Sequence, residues 1–138
     1  MRDIKFRAYI KDTNKRVPSE INKIVEVKSL HLGSRKAIIG YSKSSSNYGN
    51  YSISFDDIEL MQYTGLHDKN GEEIYEGDIV YVASEDENAF ILWDKETARY
   101  IIQFKGWCVD FDNYYGKELE VIGNIYDNPD LLEKGAEE

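Results

Sequence analysis

Ile4, Phe6, Ala8 and Ile10 alternate with Asp3, Lys5, Arg7 and Tyr9, a two-residue period that predicts an opening strand with one apolar and one mostly charged face. The polar run from Lys11 to Arg16 then reads as a turn. Between Ile21 and Leu32 two periods compete. Ile21, Ile24, Val25 and Leu32 suit a helix, whereas Val25 with Val27 and Leu30 with Leu32 suit a strand interrupted at Lys28-Ser29. The β-branched content and the Gly33-Ser34 turn favour the strand. Ala37 to Tyr41 is its hairpin partner, residues 42–50 read as a mobile Ser-rich loop, and Tyr51, Ile53 and Phe55 resume the two-residue period. Asp56-Asp57 starts one helical turn ahead of Leu60-Met61-Gln62-Tyr63.

The most patterned stretch follows, from Tyr63 to Val80. Asp68 accepts hydrogen bonds from backbone two residues on, and Asn70-Gly71 tolerates positive φ, so a tight turn between extended arms is expected. Glu76-Gly77-Asp78 is a second turn, feeding the apolar strand Ile79-Val80-Tyr81-Val82. Phe90 to Trp93 and Ala98 to Phe104, joined at Asp94 to Thr97, form a hairpin. Trp107, Val109 and Phe111 face one way on the next segment, and Cys108, Asp110 and Asp112 the other. After Leu119 to Ile125, Asn128-Pro129-Asp130 presents a capping residue, Pro at the first helical position and an acid in the first turn, which predicts a short terminal helix. At least seven strands separated by frequent turn signals make this an all-β barrel or sandwich with a short C-terminal helix.

Composition narrows the class further. In 138 residues, 41% hydrophobic, 31% charged and with 11 Tyr, 5 Phe and 2 Trp, there is apolar surface enough for a folded core. No apolar run reaches the length of a membrane span, and Met1-Arg2-Asp3 leads into charge instead of a signal peptide, so a cytoplasmic location and no membrane partner are expected. The single cysteine, Cys108, forms no internal disulfide and no multi-thiolate metal site. The net charge of −9 divides unevenly: residues 1–43 hold 11 basic and 4 acidic residues, a net +7, and residues 44–138 hold 6 and 22, a net −16. Such a split bears on association and partners.

Catalytic constellations are sparse. His31 and His67 lie far apart with no HxxxH or HExxH spacing, and GxSxG, GxxxxGK[ST] and GxGxxG are all absent. Asp110 and Asp112, with Glu118 and Glu120 on a supposed partner strand, are the nearest approach to a paired-carboxylate site. In a chain with 26 acids such neighbours arise by chance. Asp68-Lys69-Asn70-Gly71 echoes the front of a calcium loop but lacks the later acidic ligand and flanking helices. No catalytic residue, metal site or cofactor is assigned. The basic residues Lys5, Arg7, Lys15, Arg16, Arg35, Lys36 and Lys43 are the candidate nucleic-acid-binding set, able to meet phosphates if gathered beside Tyr9, Tyr41 and Tyr48. The bland alternative is that the basic third complements the acidic remainder, within one chain or between copies.

Three blocks carry a resemblance: Met1-Arg2-Asp3-Ile4-Lys5-Phe6-Arg7-Ala8 at the start; Leu60-Met61-Gln62-Tyr63-Thr64-Gly65-Leu66-His67-Asp68-Lys69-Asn70-Gly71-Glu72-Glu73-Ile74-Tyr75-Glu76-Gly77-Asp78-Ile79-Val80 in the centre; and Glu120-Val121-Ile122-Gly123-Asn124-Ile125-Tyr126-Asp127-Asn128-Pro129-Asp130-Leu131-Leu132 at the end. Together they resemble the YopX family of phage and prophage proteins. The resemblance implies an SH3-like small β-barrel in the central and C-terminal part, placed over residues 59–132, and a tendency to oligomerise; the residue pattern itself makes 1–58 an N-terminal β extension and 133–138 a frayed tail. It implies no enzymatic activity. The expectation is a non-enzymatic accessory protein acting as a self-associating interaction module that meets host or phage macromolecules. The alternatives are a nucleic-acid binder using the basic face and an acidic DNA mimic that inhibits a host protein.

Overall fold

The computed structural model describes residues 3–11, 23–44, 47–113 and 118–134. It is built from antiparallel strands, with one short helix. The chain divides into two compact units, Lys5–Gln62 and Tyr63–Glu138, the latter joined by Met1–Ile4.

In the N-terminal unit β1 (Phe6–Ile10), β2 (Ile24–His31), β3 (Lys36–Ser44), β4 (Asn47–Ser54) and the first part of β5 (Ile58–His67) lie side by side. The strand order is β4-β3-β2-β1-β5, continued by β6 (Glu73–Tyr75). The alternation read from the sequence selects the buried face: Ala8, Ile10, Val25, Ala37, Ile39, Ile53 and Ile58 form its core. Ile4 falls outside this pattern. It precedes β1 and is 62% exposed.

The competing periods at 21–32 resolve to a strand over Ile24–His31, residues 21 and 22 lying outside the described residues. The β2–β3 register slips between Val27 and Ser29, so the strand period shared by Val25, Val27 and Leu30 carries one inserted residue, and Leu32 of the helical set follows the strand, exposed. The Ser-rich segment requires a correction, since β3 runs to Ser44 and β4 starts at Asn47. Ser, Asn and Gly have weak strand propensity, but the backbone ladder of Tyr41 with Gly49 and Ser42 with Tyr48 does not depend on side-chain packing. Ser54 accepts a hydrogen bond from the Asp56 amide and caps a 3-10 turn over Phe55–Asp57, where one helical turn was expected.

In the C-terminal unit β7 (Asp78–Val82), β8 (Glu87–Asp94), β9 (Arg99–Phe104), β10 (Trp107–Asp110) and β11 (Leu119–Asn124) form a five-stranded sheet ordered β10-β9-β8-β7-β11. Helix α1 (Asp130–Lys134) follows, where the Asn-Pro-Asp signal placed it. Ile74, Val80, Val82, Ala89, Ile91, Ile102, Phe104, Phe111 and Leu119 make the core. Neither sheet closes on itself among the described residues. The outer edge of β11 is met instead by a turn: the Lys69 amide donates to the Leu119 carbonyl at 2.9 Å, and the Val121 amide donates to Asp68 Oδ2 at 2.9 Å.

The supposed pairing of the Asp110 segment with the Glu118–Glu120 segment is also corrected. β10 pairs with β9 through the two-residue turn Lys105-Gly106, and β11 pairs with β7 at the opposite side of the sheet. Gly106, at φ 84°, supplies the left-handed conformation this tight hairpin needs.

Candidate interaction surface

The patterned stretch 68–78 holds the two buried polar side chains of the described residues, Asp68 and Asp78. Asp68 Oδ1 accepts from the amides of Asn70 at 2.8 Å and Glu72 at 2.9 Å, while Oδ2 accepts from Val121. Burial alone would push this carboxyl up. The three amide donors, from Val121, Glu72 and Asn70, together with the nearby Lys69 ammonium, outweigh that effect and hold it below the usual carboxylate range. Asp78 Oδ2 accepts from the Tyr75 amide at 2.8 Å across the Glu76-Gly77 turn. Both carboxylates are thus engaged by backbone donors that would otherwise lie unsatisfied. In both turns a buried carboxylate holds backbone amides of the patterned stretch in place.

Gly71 closes the Asp68 turn at φ 84°, with open space around the position of a Cβ. A Gly71→Ala change therefore meets no steric clash and acts through backbone strain alone. It is expected to cost about 1 kcal/mol, measurable as a lower urea midpoint with unchanged slope.

Large apolar side chains come to the surface on the C-terminal sheet. Trp93 is 40% exposed, Trp107 38% and Leu92 37%. Strand register puts Trp93 and Trp107 on the same face as Ile91 and Ile102. Each is braced by an aromatic neighbour. Trp107 stacks on Phe104 with ring centroids 4.0 Å apart and planes 4° from parallel, and Trp93 meets Tyr100 edge-on at 4.9 Å. Gln103 steadies the hairpin beneath, donating from Nε2 to the carbonyls of Phe104 at 2.7 Å and Trp107 at 3.0 Å. A cavity of about 220 Å³ opens between the sheet and α1, lined by Phe90, Phe104, Leu132, Asn88, Gln103 and Lys105 among others. Asn88 ties the helix over it by donating to the Leu131 carbonyl at 2.9 Å.

The described members of the candidate basic set lie on several elements of the N-terminal sheet. Lys5 and Arg7 belong to the β1 segment, Arg35 and Lys36 to the β2–β3 turn and the start of β3, and Lys43 to the far end of β3. Lys15 and Arg16 lie outside the described residues. Arg35 donates to Asp56 at 3.0 Å and lies over the Phe55 ring. Two other basic side chains of this unit meet acids on the sheet: Lys11 reaches Glu59 at 3.3 Å, and Lys28 reaches Glu26 at 3.4 Å. Asp110 is held by Arg99 through Nη2 and Nη1, at 2.9 and 3.0 Å, and Glu120 by Lys69 at 3.3 Å. Among the described residues no group of three or more His, Cys, Asp and Glu is placed to hold a metal ion. None of their helices is long and apolar enough to cross a membrane.

The model of the YopX protein family matches residues 5–133, which takes in both units. The chain belongs to the YopX family. The resemblance carried by the three sequence blocks is thereby established over nearly the whole length. A solved structure, protein EF1440 from Enterococcus faecalis, is similar at 26% identity with a TM-score of 0.61, covering 96% of this chain and 99% of that one. No curated protein matches.

For this YopX-family chain, sequence reasoning missed the exposed tryptophans. Trp107 and Trp93 have the strand parity of core residues, and parity alone assigns them inward. One local signal was available for the β10 hairpin, namely Lys105-Gly106 between two aromatics. No local signal marks the bond from Asp68 to Val121, which joins residues 53 apart in sequence.

Proposed function

We propose that this YopX-family protein is a non-enzymatic phage or prophage accessory module that works by binding, and that it self-associates. The observation that carries the reading is the braced tryptophan pair. Trp93 and Trp107 pack against Tyr100 and Phe104 while leaving about two-fifths of their surface to solvent. Rigid aromatic side chains at a surface contribute contact area at low entropic cost and are enriched where proteins meet. The two buried acids of the distinctive stretch, Asp68 and Asp78, meanwhile accept from backbone amides. An SH3-like reading of the C-terminal unit fits the same picture: five antiparallel strands, with the β11 edge sealed by Asp68 and Lys69 instead of by another strand.

Charge favours association between copies. The unit Lys5–Gln62 carries ten basic and six acidic residues, net +4, and the remainder of the chain is net −13. Light scattering on the intact chain, over a range of protein concentration and of salt, tests the proposal. A mass above 16.0 kDa is expected. A fall toward monomer at high salt would assign the association to the opposed charges, and persistence would assign it to apolar and backbone contacts. A monomer under every condition overturns self-association.

A further inference from the structure

A sheet edge exposes backbone donors and acceptors that invite another strand, and folded proteins commonly blunt such edges. Among the described strands, three of the four sheet edges are blunted. β11 is sealed by Asp68 and Lys69, β6 is three residues long with its Tyr75 amide taken by Asp78, and β10 is four residues long with Asp110 clamped by Arg99. β4 differs. It runs for eight residues, no described strand lies beyond it, and it contains no proline and no charge. The uncharged run extends over twelve residues, from Ser44 to Phe55, in a chain that is 31% charged.

The hydrogen-bond phase tells which amides face outward. The Phe55 amide donates to the Arg35 carbonyl at 2.9 Å, one step beyond the pair Lys36 and Ser54. In an antiparallel ladder bonded and non-bonded pairs alternate. The bonded pairs with β3 are therefore Ala37 with Ile53 and Ile39 with Tyr51. The backbone groups of Asn50 and Ser52 point away from β3, into the position an added strand would take, and both residues are exposed.

We infer that β4 is a homotypic docking edge, at which a second copy of this chain adds its own β4 antiparallel across a twofold axis, extending the sheet from one copy into the next. Neutrality selects this occupant. In an isologous contact every residue meets its own kind or a near neighbour, so any charge on β4 would face a like charge in the other copy. A strand with none avoids that cost. The register that uses both outward residues sets Asn50 against Ser52 of the second copy and Tyr51 opposite its own counterpart, in the closely spaced non-bonded pair where aromatic side chains interact favourably. The inference rests on the self-association proposed above and places the contact at a neutral strand, so the association it describes persists at high salt instead of depending on the opposed charges of the two units.

The test uses the full chain in three forms: unaltered, Ser52→Pro, and the double variant Asn50→Lys with Ser52→Lys. Proline at Ser52 removes an outward amide and no β3 ladder bond, and the lysines occupy exposed positions. Circular dichroism confirms that each variant keeps its strand signal. Light scattering is expected to show an about twofold fall in mass for both variants. In the unaltered chain, hydrogen exchange is expected to show the Asn50 and Ser52 amides protected at high protein concentration and unprotected on dilution, a readout independent of either variant folding. An oligomer whose mass neither variant changes, or whose Asn50 and Ser52 amides exchange freely, overturns the β4 edge while leaving self-association standing. A monomeric unaltered chain overturns both.

Discussion

Replacing Ile102 with alanine is expected to destabilise the C-terminal unit by about 4 kcal/mol, from lost apolar transfer and the cavity left behind. Ile102 is fully buried at the middle of β9, with Ile91 of β8 and Val109 of β10 directly across on either side. Both neighbours are strand residues fixed by their own ladders, so collapse into the vacated space is limited. Against a total stability on the order of 10 kcal/mol, such a loss moves the unfolding midpoint far down. Urea denaturation followed by tryptophan fluorescence measures it, since Trp93 and Trp107 lie at the two ends of the same sheet face. Ile4→Ala is the matched control. That side chain is 62% exposed, and its loss is expected to stay within about 0.5 kcal/mol. A cost below roughly 1 kcal/mol at Ile102 would mean that the core is not close-packed around β9.

Asp68→Ala is expected to cost on the order of 3 kcal/mol, because the Asn70, Glu72 and Val121 amides lose a charged acceptor together. Asp68→Asn keeps the shape but turns one of the two acceptor atoms into a donor facing amide donors, so it is expected to recover only part of the loss. The pH dependence has a definite sign. The folded-state carboxyl lies below its ordinary value, so its contribution is fully present above the unfolded pKa of about 4 and is lost as pH falls through the lower folded value. The stability gap between the native chain and Asp68→Asn should therefore be wide near neutrality and narrow in acid. Urea midpoints for both proteins at neutral pH and in acid check this. A gap that stays constant would show that the carboxylate charge is not what holds β11 to the turn.

Both predictions join information readable locally with information that is not. Asp68-Lys69-Asn70-Gly71 is recognisable as a turn because Asp accepts from nearby amides and Gly takes φ 84° without steric cost. The bonds to Asn70 and Glu72 lie within that reach. The bond to Val121 does not, because it depends on where a segment 53 residues away is brought. Ile102 is likewise apolar in a strand pattern, but its burial between Ile91 and Val109 follows from the order β10-β9-β8. At 42–50 the composition suggested a loop, and pairing with β3 supplied the backbone bonds that extend the strands to Ser44 and from Asn47.

The family resemblance, the all-β class, the turns at 68–71 and 76–78, the interruption at Lys28-Ser29 and the terminal helix signal were all set by residues close in sequence, through alternation, left-handed backbone preferences and capping. A two-residue period says which side chains share a face. It does not say which strand lies alongside, because pairing closes loops of very different length at similar entropic cost. The partner of β10, the Asp68 clamp on β11, the solvent-facing tryptophans and the edge position of β4 among the described strands were therefore decided only in the tertiary structure.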